Sequence, residues 1–130
     1  MKKVIALTLI MVLFSSICMA YTPNPDIWFH VHSYPDGELY FEKQINRSDE
    51  NIRKVWILWI DTKKNIRTMQ QLSIKKNKTY TILEIVLYDN KTNELISSQS
   101  FSKPYEVIIP ETIADIACFF AFPQEYQIGD

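Results

Sequence analysis

The chain has 130 residues, of which 47% are hydrophobic and 13% aromatic, with 14 basic and 15 acidic side chains. This length is typical of one domain, and the charge balance argues against a non-specific nucleic-acid binder, which would carry an excess of positive charge. Only two glycines occur, at positions 37 and 129, so the sequence excludes a glycine-rich phosphate-binding loop.

Residues 1–20 have the order of a cleavable secretory signal peptide. Two lysines precede an apolar run over residues 4–14, and the small residues Cys18 and Ala20 stand three before and one before the proposed cut. The run is about eleven residues long, whereas a membrane span needs roughly twenty, so a retained anchor is the weaker interpretation. We therefore expect cleavage between Ala20 and Tyr21.

Cys18 offers a rival interpretation, in which it is the lipidated N-terminal cysteine of a lipoprotein. Such signals usually place a small residue before the cysteine, and the bulky Ile17 stands there instead. No second apolar run of spanning length follows, so we expect an exported chain without a membrane span, in the periplasm or beyond it. Removal of residues 1–20 leaves 12 basic and 15 acidic residues, a net charge of −3.

Six segments have the residue preferences of β-strands, and polar turns separate them. The predicted strands cover residues 27–34, 38–42, 51–61, 66–74, 79–89 and 94–101. A turn at residues 35–37 joins the first two, residues 43–50 are predicted to form a loop, and the last strand is polar enough to lie at an edge. The alternation over residues 66–74 is less regular, because Thr68 and Gln70 interrupt it.

The strand over residues 51–61 is apolar on both faces. Trp56, Leu58 and Ile60 alternate with Val55, Ile57 and Trp59. Such a strand is central and needs a cover on each side. A helix covers one face. The other needs loops, the N-terminal lead-in of residues 21–26 or a second copy of the chain, which motivates a homodimer hypothesis.

Residues 110–121 are predicted to form a C-terminal helix, because a proline and an acid suit its start. Its apolar stripe, at helical spacing, consists of Ile109, Ile113, Ile116, Ala117 and Phe120. The predicted fold class is therefore α+β: an antiparallel sheet of about six strands with one C-terminal helix packed on it, in a single domain over residues 21–130.

Few residues suggest chemistry. His30 and His32 are two apart, so on a regular strand they would share a face and could supply two metal ligands, although two exposed histidines are the plainer interpretation. Glu84 lies inside an apolar strand and could be a general acid or simply face solvent. No nucleophile motif occurs. We predict no enzymatic activity, no metal and no cofactor.

Lys75, Lys76 and Lys78 surround one turn and are candidates for contact with an acidic partner, although such lysines often form a solvated loop. The tryptophans could line a ligand face or pack in the core. If the chain is cut after Ala20, Cys118 is the lone remaining thiol. Its apolar neighbours favour burial, and a disulfide between two chains is the alternative.

Several short motifs follow one another in a recognisable order. They are a tryptophan strand at Trp28, the aromatic pair Tyr40-Phe41, the apolar residues 55–58 and 80–83, and a closing segment over residues 105–118. In this order, and with the signal peptide, the chain resembles the surface-adhesin protein E-like domain of Gram-negative bacteria. Family members often have a partner cysteine before the second apolar run, and residues 72–77 contain none.

The resemblance implies a sheet-plus-helix module in the periplasm or on the surface of a Gram-negative bacterium. It also implies dimer formation and binding to host extracellular-matrix or serum proteins. The leading hypothesis is therefore an exported, non-enzymatic binding module. The alternative is a periplasmic envelope accessory protein that binds another bacterial component.

Overall fold

The computed structural model describes residues 21–123, so the predicted signal peptide, with Ala20, lies outside the described residues. Within this range the elements are β1 (Trp28–Tyr34), β2 (Gly37–Glu42), β3 (Asn46–Asp49), β4 (Ile52–Asp61), β5 (Ile66–Lys75), β6 (Thr79–Asp89), β7 (Leu95–Ser100), β8 (Glu106–Val107) and α1 (Ile113–Ala121). The six predicted strands are confirmed, and none of their ends moves by more than one residue.

The strands pair antiparallel, in the order β1-β2-β4-β5-β6-β7, while β3 pairs with β4 and β8 with β6 beside this path. This arrangement confirms the predicted α+β fold, with the C-terminal helix packed on an antiparallel sheet. The prediction of a loop over residues 43–50 is wrong in part, because β3 forms there. All four residues of β3 are exposed, so no apolar alternation marks it in the sequence.

β4 is apolar on both faces, as predicted, and the sheet has a buried cluster on each side. On the side where α1 packs, called the helix face below, the strands bury Leu39, Phe41, Val55, Ile57, Leu72 and Ile74. On the opposite side, called the second face, the buried residues are Trp28, Leu58 and Ile60. Each fully buried leucine or isoleucine contributes roughly 1.5–3 kcal/mol relative to an exposed one.

The N-terminal lead-in helps to cover the second face. The Tyr21 ring lies 3.9 Å from the guanidinium carbon of Arg67, and the Tyr21 N–H donates to the Asn90 carbonyl at 3.2 Å. Leu58 is 0% and Ile60 6% exposed in the single chain. A second copy is therefore not needed to bury Leu58 and Ile60, and the homodimer hypothesis stays a prediction.

Arg67 is a buried cation held by amides and aromatic rings. It is 6% exposed and donates to the side-chain oxygens of Asn90 at 3.3 Å and Asn93 at 2.9 Å. Its guanidinium lies between two rings, because Tyr88 is also close, at 4.7 Å. A planar guanidinium can stack on a ring and donate in its own plane at once, which an ammonium cannot. Arg67 therefore joins the lead-in to the β6–β7 turn.

α1 begins later than predicted, at residue 113, because Glu111 has a left-handed φ of 65° that a helix does not accept. Thr112 is the N-cap, and its hydroxyl accepts from the Asp115 N–H at 3.3 Å. In return the Asp115 carboxylate accepts from the Glu111 N–H at 3.0 Å. This reciprocal pair satisfies two backbone donors at the start of the helix.

The predicted apolar stripe of α1 is wrong for most of its members. Ile109, Ile113 and Ile116 are 67%, 43% and 36% exposed, and the helix instead buries Ala114, Ala117, Cys118 and Ala121. The large side chains of the sheet fill the space beneath the helix, so the helix residues that pack against them are small. Cys118 is 1% exposed, so its thiol is buried, as its neighbours indicated.

Replacement of Leu58 by alanine tests the burial of the second face. We expect Leu58→Ala to lower the free energy of unfolding by about 2–5 kcal/mol, because it leaves a cavity at a fully buried position. Leu95→Ala on β7 is the matched control, since Leu95 is 58% exposed and its loss costs less than about 0.5 kcal/mol. Urea denaturation measures both, and equal midpoints for the two variants would contradict the fold described above.

Candidate functional site

The helix covers only part of the helix face, because it is much shorter than the strands beneath it. The nine residues of α1 extend about 14 Å, whereas the eleven residues of β6 extend about 35 Å. The uncovered part of the face forms an open groove of about 630 Å³. This volume lies within the range of ligand-binding clefts in proteins.

The groove has a mostly apolar lining with a few polar groups. Its floor comes from the sheet, and one wall comes from residues 109–114, which lead into α1. The apolar lining residues are Leu39, Ile57, Trp59, Leu72, Ile82, Ile109, Ile113 and Ala114, and the polar ones are Tyr34, Thr68, Gln70, Tyr80, Glu111 and Thr112. Among these lining residues Glu111 supplies the one carboxylate.

Thr68 and Gln70 give the floor its polar character. They occupy positions on β5 that continue the helix-facing row of Leu72 and Ile74, where α1 no longer covers the sheet. Neither side chain has a hydrogen-bond partner within residues 21–123. Both can therefore bond to a molecule in the groove. The irregular alternation of this strand was the signal in the sequence that could have located the site.

The rim of the groove is partly exposed apolar surface. Ile109 and Ile113 on the helix side are 67% and 43% exposed, and Tyr34 on the other side is 39% exposed. The Tyr34 and Trp59 rings meet edge to face, with centroids 5.7 Å apart. Of the three tryptophans, Trp59 lines the groove, while Trp28 packs in the second-face cluster.

The two histidines lie on opposite faces of the sheet, so the prediction that they share a face is wrong. A β-bulge between them shifts the register, and His30 pairs with Tyr40 whereas His32 pairs with Leu39. Tyr40 belongs to the second face and Leu39 to the helix face. An extra residue in a strand reverses the alternation that follows it.

His30 instead meets two residues of its own hairpin on the second face. Its Nε2 lies 2.7 Å from Glu38 Oε2 and 3.2 Å from Ser33 Oγ, and the Ser33 hydroxyl donates to the same Glu38 oxygen at 2.6 Å. The Ser33 hydrogen bond, with a smaller contribution from His30, lowers the pKa of Glu38.

This cluster does not have the geometry of a catalytic relay. In a relay the serine bonds to one ring nitrogen and the carboxylate to the other, so that the histidine can take the serine proton. Here Ser33 and Glu38 both lie at the Nε2 of His30, and the Ser33 hydroxyl points to the carboxylate.

The three candidate lysines do not face one surface. Lys75 Nζ lies 3.9 Å from the centroid of the Tyr105 ring. The Tyr105 hydroxyl bonds to the side chain of Ser73, which stands in the strand between Leu72 and Ile74 of the helix face. Lys76 lines a second cavity, of about 310 Å³, at the end of α1. Lys78 is exposed with a left-handed φ of 65°. Their role in partner binding stays a prediction.

The second cavity has a basic lining. Its charged residues are Arg47, Glu50, Arg53 and Lys76, and the helix end closes it. The Arg53 guanidinium donates to the backbone carbonyls of Asp49 and Ile52 and lies 4.9 Å from the Phe122 ring centroid. Arg53 therefore connects β4 to the C-terminal end of α1, where the partial negative charge of the helix dipole favours a cation.

Glu84, the candidate general acid, lies away from the groove. It pairs with Gln71 on β5, and its carboxylate accepts from the Ser98 hydroxyl at 3.5 Å. Within residues 21–123 no three His, Cys, Asp or Glu side chains are grouped to hold a metal ion. None of the helices in the same range has the length and apolarity that a membrane span requires.

No known protein family matches the chain, and no curated protein or solved structure matches it either. The resemblance to the surface-adhesin protein E-like domain therefore stays a prediction from the sequence.

Removal of the Ser33 hydroxyl tests the electrostatics of the hairpin cluster. We expect Ser33→Ala to raise the pKa of Glu38 towards its ordinary value, because the hydroxyl is the largest cause of the lowering. A lowered pKa in the folded state means that Glu38 stabilises the fold above its ordinary pKa. This contribution is lost as the pH falls through the lowered value.

An NMR titration of the Glu38 side-chain signals measures this pKa directly. Ser97→Ala on the exposed strand β7 is the control, and it should leave the Glu38 titration unchanged. An identical Glu38 pKa in wild type and Ser33→Ala would show that the hydroxyl does not act on the carboxylate.

Proposed function

We propose that this chain is an exported, non-enzymatic binding module whose groove receives an apolar segment of a protein partner. The observation that supports the proposal best is the groove itself. It has a volume of about 630 Å³, apolar walls, and the polar groups of Thr68 and Gln70 on its floor. A cleft with a mainly apolar lining and a few polar groups is the usual form of a binding site.

The surroundings of the groove favour a protein segment over a small enclosed ligand. Ile109 and Ile113 line the groove and are 67% and 43% exposed, so its apolar wall is open to solvent. Ile116 and Phe119, at 36% and 50% exposure, extend this surface along the outer side of α1. Continuous exposed apolar surface is a mark of protein interaction sites.

The composition of the lining supports a non-enzymatic role. His30, His32 and Glu84, the candidate catalytic groups of the sequence, do not line the groove. Its titratable side chains are Glu111 and two tyrosines, which do not form an acid–base pair with a nucleophile. Binding is therefore the activity that these residues are suited to.

The class of partner follows from the resemblance. The surface-adhesin protein E-like family implies host extracellular-matrix or serum proteins, and the predicted signal peptide fits a protein that reaches the cell surface. The alternative partner is another component of the bacterial envelope. Protease treatment of intact cells separates the two: cleavage supports surface display, and cleavage only after the outer membrane is opened supports the periplasm.

Surface plasmon resonance against vitronectin, laminin and plasminogen tests binding at the groove. We expect saturable binding to at least one of them, weakened at least tenfold by Ile113→Asp. Ile113 is partly exposed in the first turn of α1, where an acid suits the helix dipole, so the variant should fold.

Ile96→Asp on β7 is the matched control, because Ile96 is 55% exposed and lies outside the groove. This variant should bind as well as the wild type. Equal losses in Ile96→Asp and Ile113→Asp would remove the groove as the site. No saturable binding to any of the three proteins would reject the host partner class.

A further inference from the structure

We propose that Ser33, His30 and Glu38 form a binding site for a divalent first-row cation of the Zn²⁺ class. The three side chains lie on the β1–β2 hairpin, on the second face of the sheet and away from the groove. The proposal is independent of partner binding in the groove and rests on different residues.

The three donor atoms are spaced as ligands of one metal ion would be. Ser33 Oγ, His30 Nε2 and Glu38 Oε2 form a triangle with sides of 2.6, 2.7 and 3.2 Å. With metal–ligand bonds of about 2.0–2.1 Å, such a triangle corresponds to angles of about 80–100° at the metal. These angles are those of three ligands on one face of an octahedron, a face that leaves the other positions to water.

The backbone holds the three side chains together before any ion is present. Ser33 and Glu38 are directly opposite each other in the hairpin register, and His30 is opposite Tyr40. The His30 ring packs edge to face on Tyr40, with centroids 5.1 Å apart, which restricts its rotation. A site that is already assembled loses less conformational entropy when the ion binds.

The donor atoms already face one another across a single point. His30 Nε2 lies 2.7 Å from Glu38 Oε2, with one hydrogen atom between them. A divalent cation would take the place of that hydrogen, bonded to both atoms, and the displaced proton would go to solvent or to the other ring nitrogen of His30.

Access from solvent leaves room for water ligands. The His30 and Glu38 side chains are 47% and 34% exposed, so an ion can enter without opening the fold. A nitrogen, a carboxylate and a hydroxyl suit Zn²⁺ and similar cations better than Mg²⁺, which prefers oxygen ligands only.

The second histidine supplies the matched control. His32 lies on the helix face, where its ring meets Tyr34 at a centroid distance of 4.5 Å. The chain contains two histidines in all, so a tag-free protein has no other imidazole. An ion that binds any exposed histidine would bind His30 and His32 equally well.

Isothermal titration calorimetry with ZnCl₂, on protein made without a polyhistidine tag, tests the site. We expect one Zn²⁺ per chain, affinities at least tenfold weaker for His30→Ala and Glu38→Gln, a smaller loss for Ser33→Ala, and no change for His32→Ala. NMR should show the His30 ring signals shifting with Zn²⁺ while those of His32 stay in place.

Several results would overturn the proposal. They are the absence of saturable Zn²⁺ binding, an equal loss of affinity in His32→Ala and His30→Ala, and Mg²⁺ binding as tight as that of Zn²⁺. Because the NMR signals are read on the wild-type protein, an unshifted His30 ring rejects the site even if a variant fails to fold.

Discussion

The need to cover both faces of β4 organises the rest of the molecule. A strand with large apolar side chains on its two sides is stable only between two layers. α1 supplies one layer over Val55 and Ile57, and Tyr21 of the lead-in, together with Trp28 at the start of β1, contributes to the other. The two ends of the described chain therefore pack on opposite faces of the sheet, and Tyr21 does so at the end of the strands where β5 begins and β6 ends.

The groove is a consequence of how α1 is built. Its fully buried residues are small, such as Ala114 and Ala117, whereas Phe119 and Ile116 are exposed and Phe120 packs at the edge of the core against Phe41. The left-handed Glu111 stops the helix from extending further over the sheet. The cap at Thr112 therefore fixes both the start of the helix and the edge of the groove, so local backbone chemistry determines the position of the candidate site.

Most of the sheet could be predicted from the sequence, because side-chain alternation and turn residues report on strands directly. The β1 bulge could not, since one extra residue leaves no mark in the sequence and yet places His30 and His32 on opposite faces. Hydrophobicity predicts the stripe of α1, whereas the packing buries small residues such as Ala117, and Ile113 and Ile116 remain partly exposed. Gln70 gives the groove floor part of its polar character. The sequence shows that Gln70 interrupts the apolar alternation of its strand, but such an interruption does not by itself indicate a binding site.

The docking of Tyr21 has a consequence for the predicted signal-peptide cleavage. In the folded domain its backbone is bonded to Asn90 and its ring is stacked on Arg67, directly after the predicted cut. If the predicted cut between Ala20 and Tyr21 is made, it would have to come before Tyr21 reaches the sheet, because a protease acts on an accessible chain. Cleavage would then precede completion of the second face, and rapid folding would compete with it.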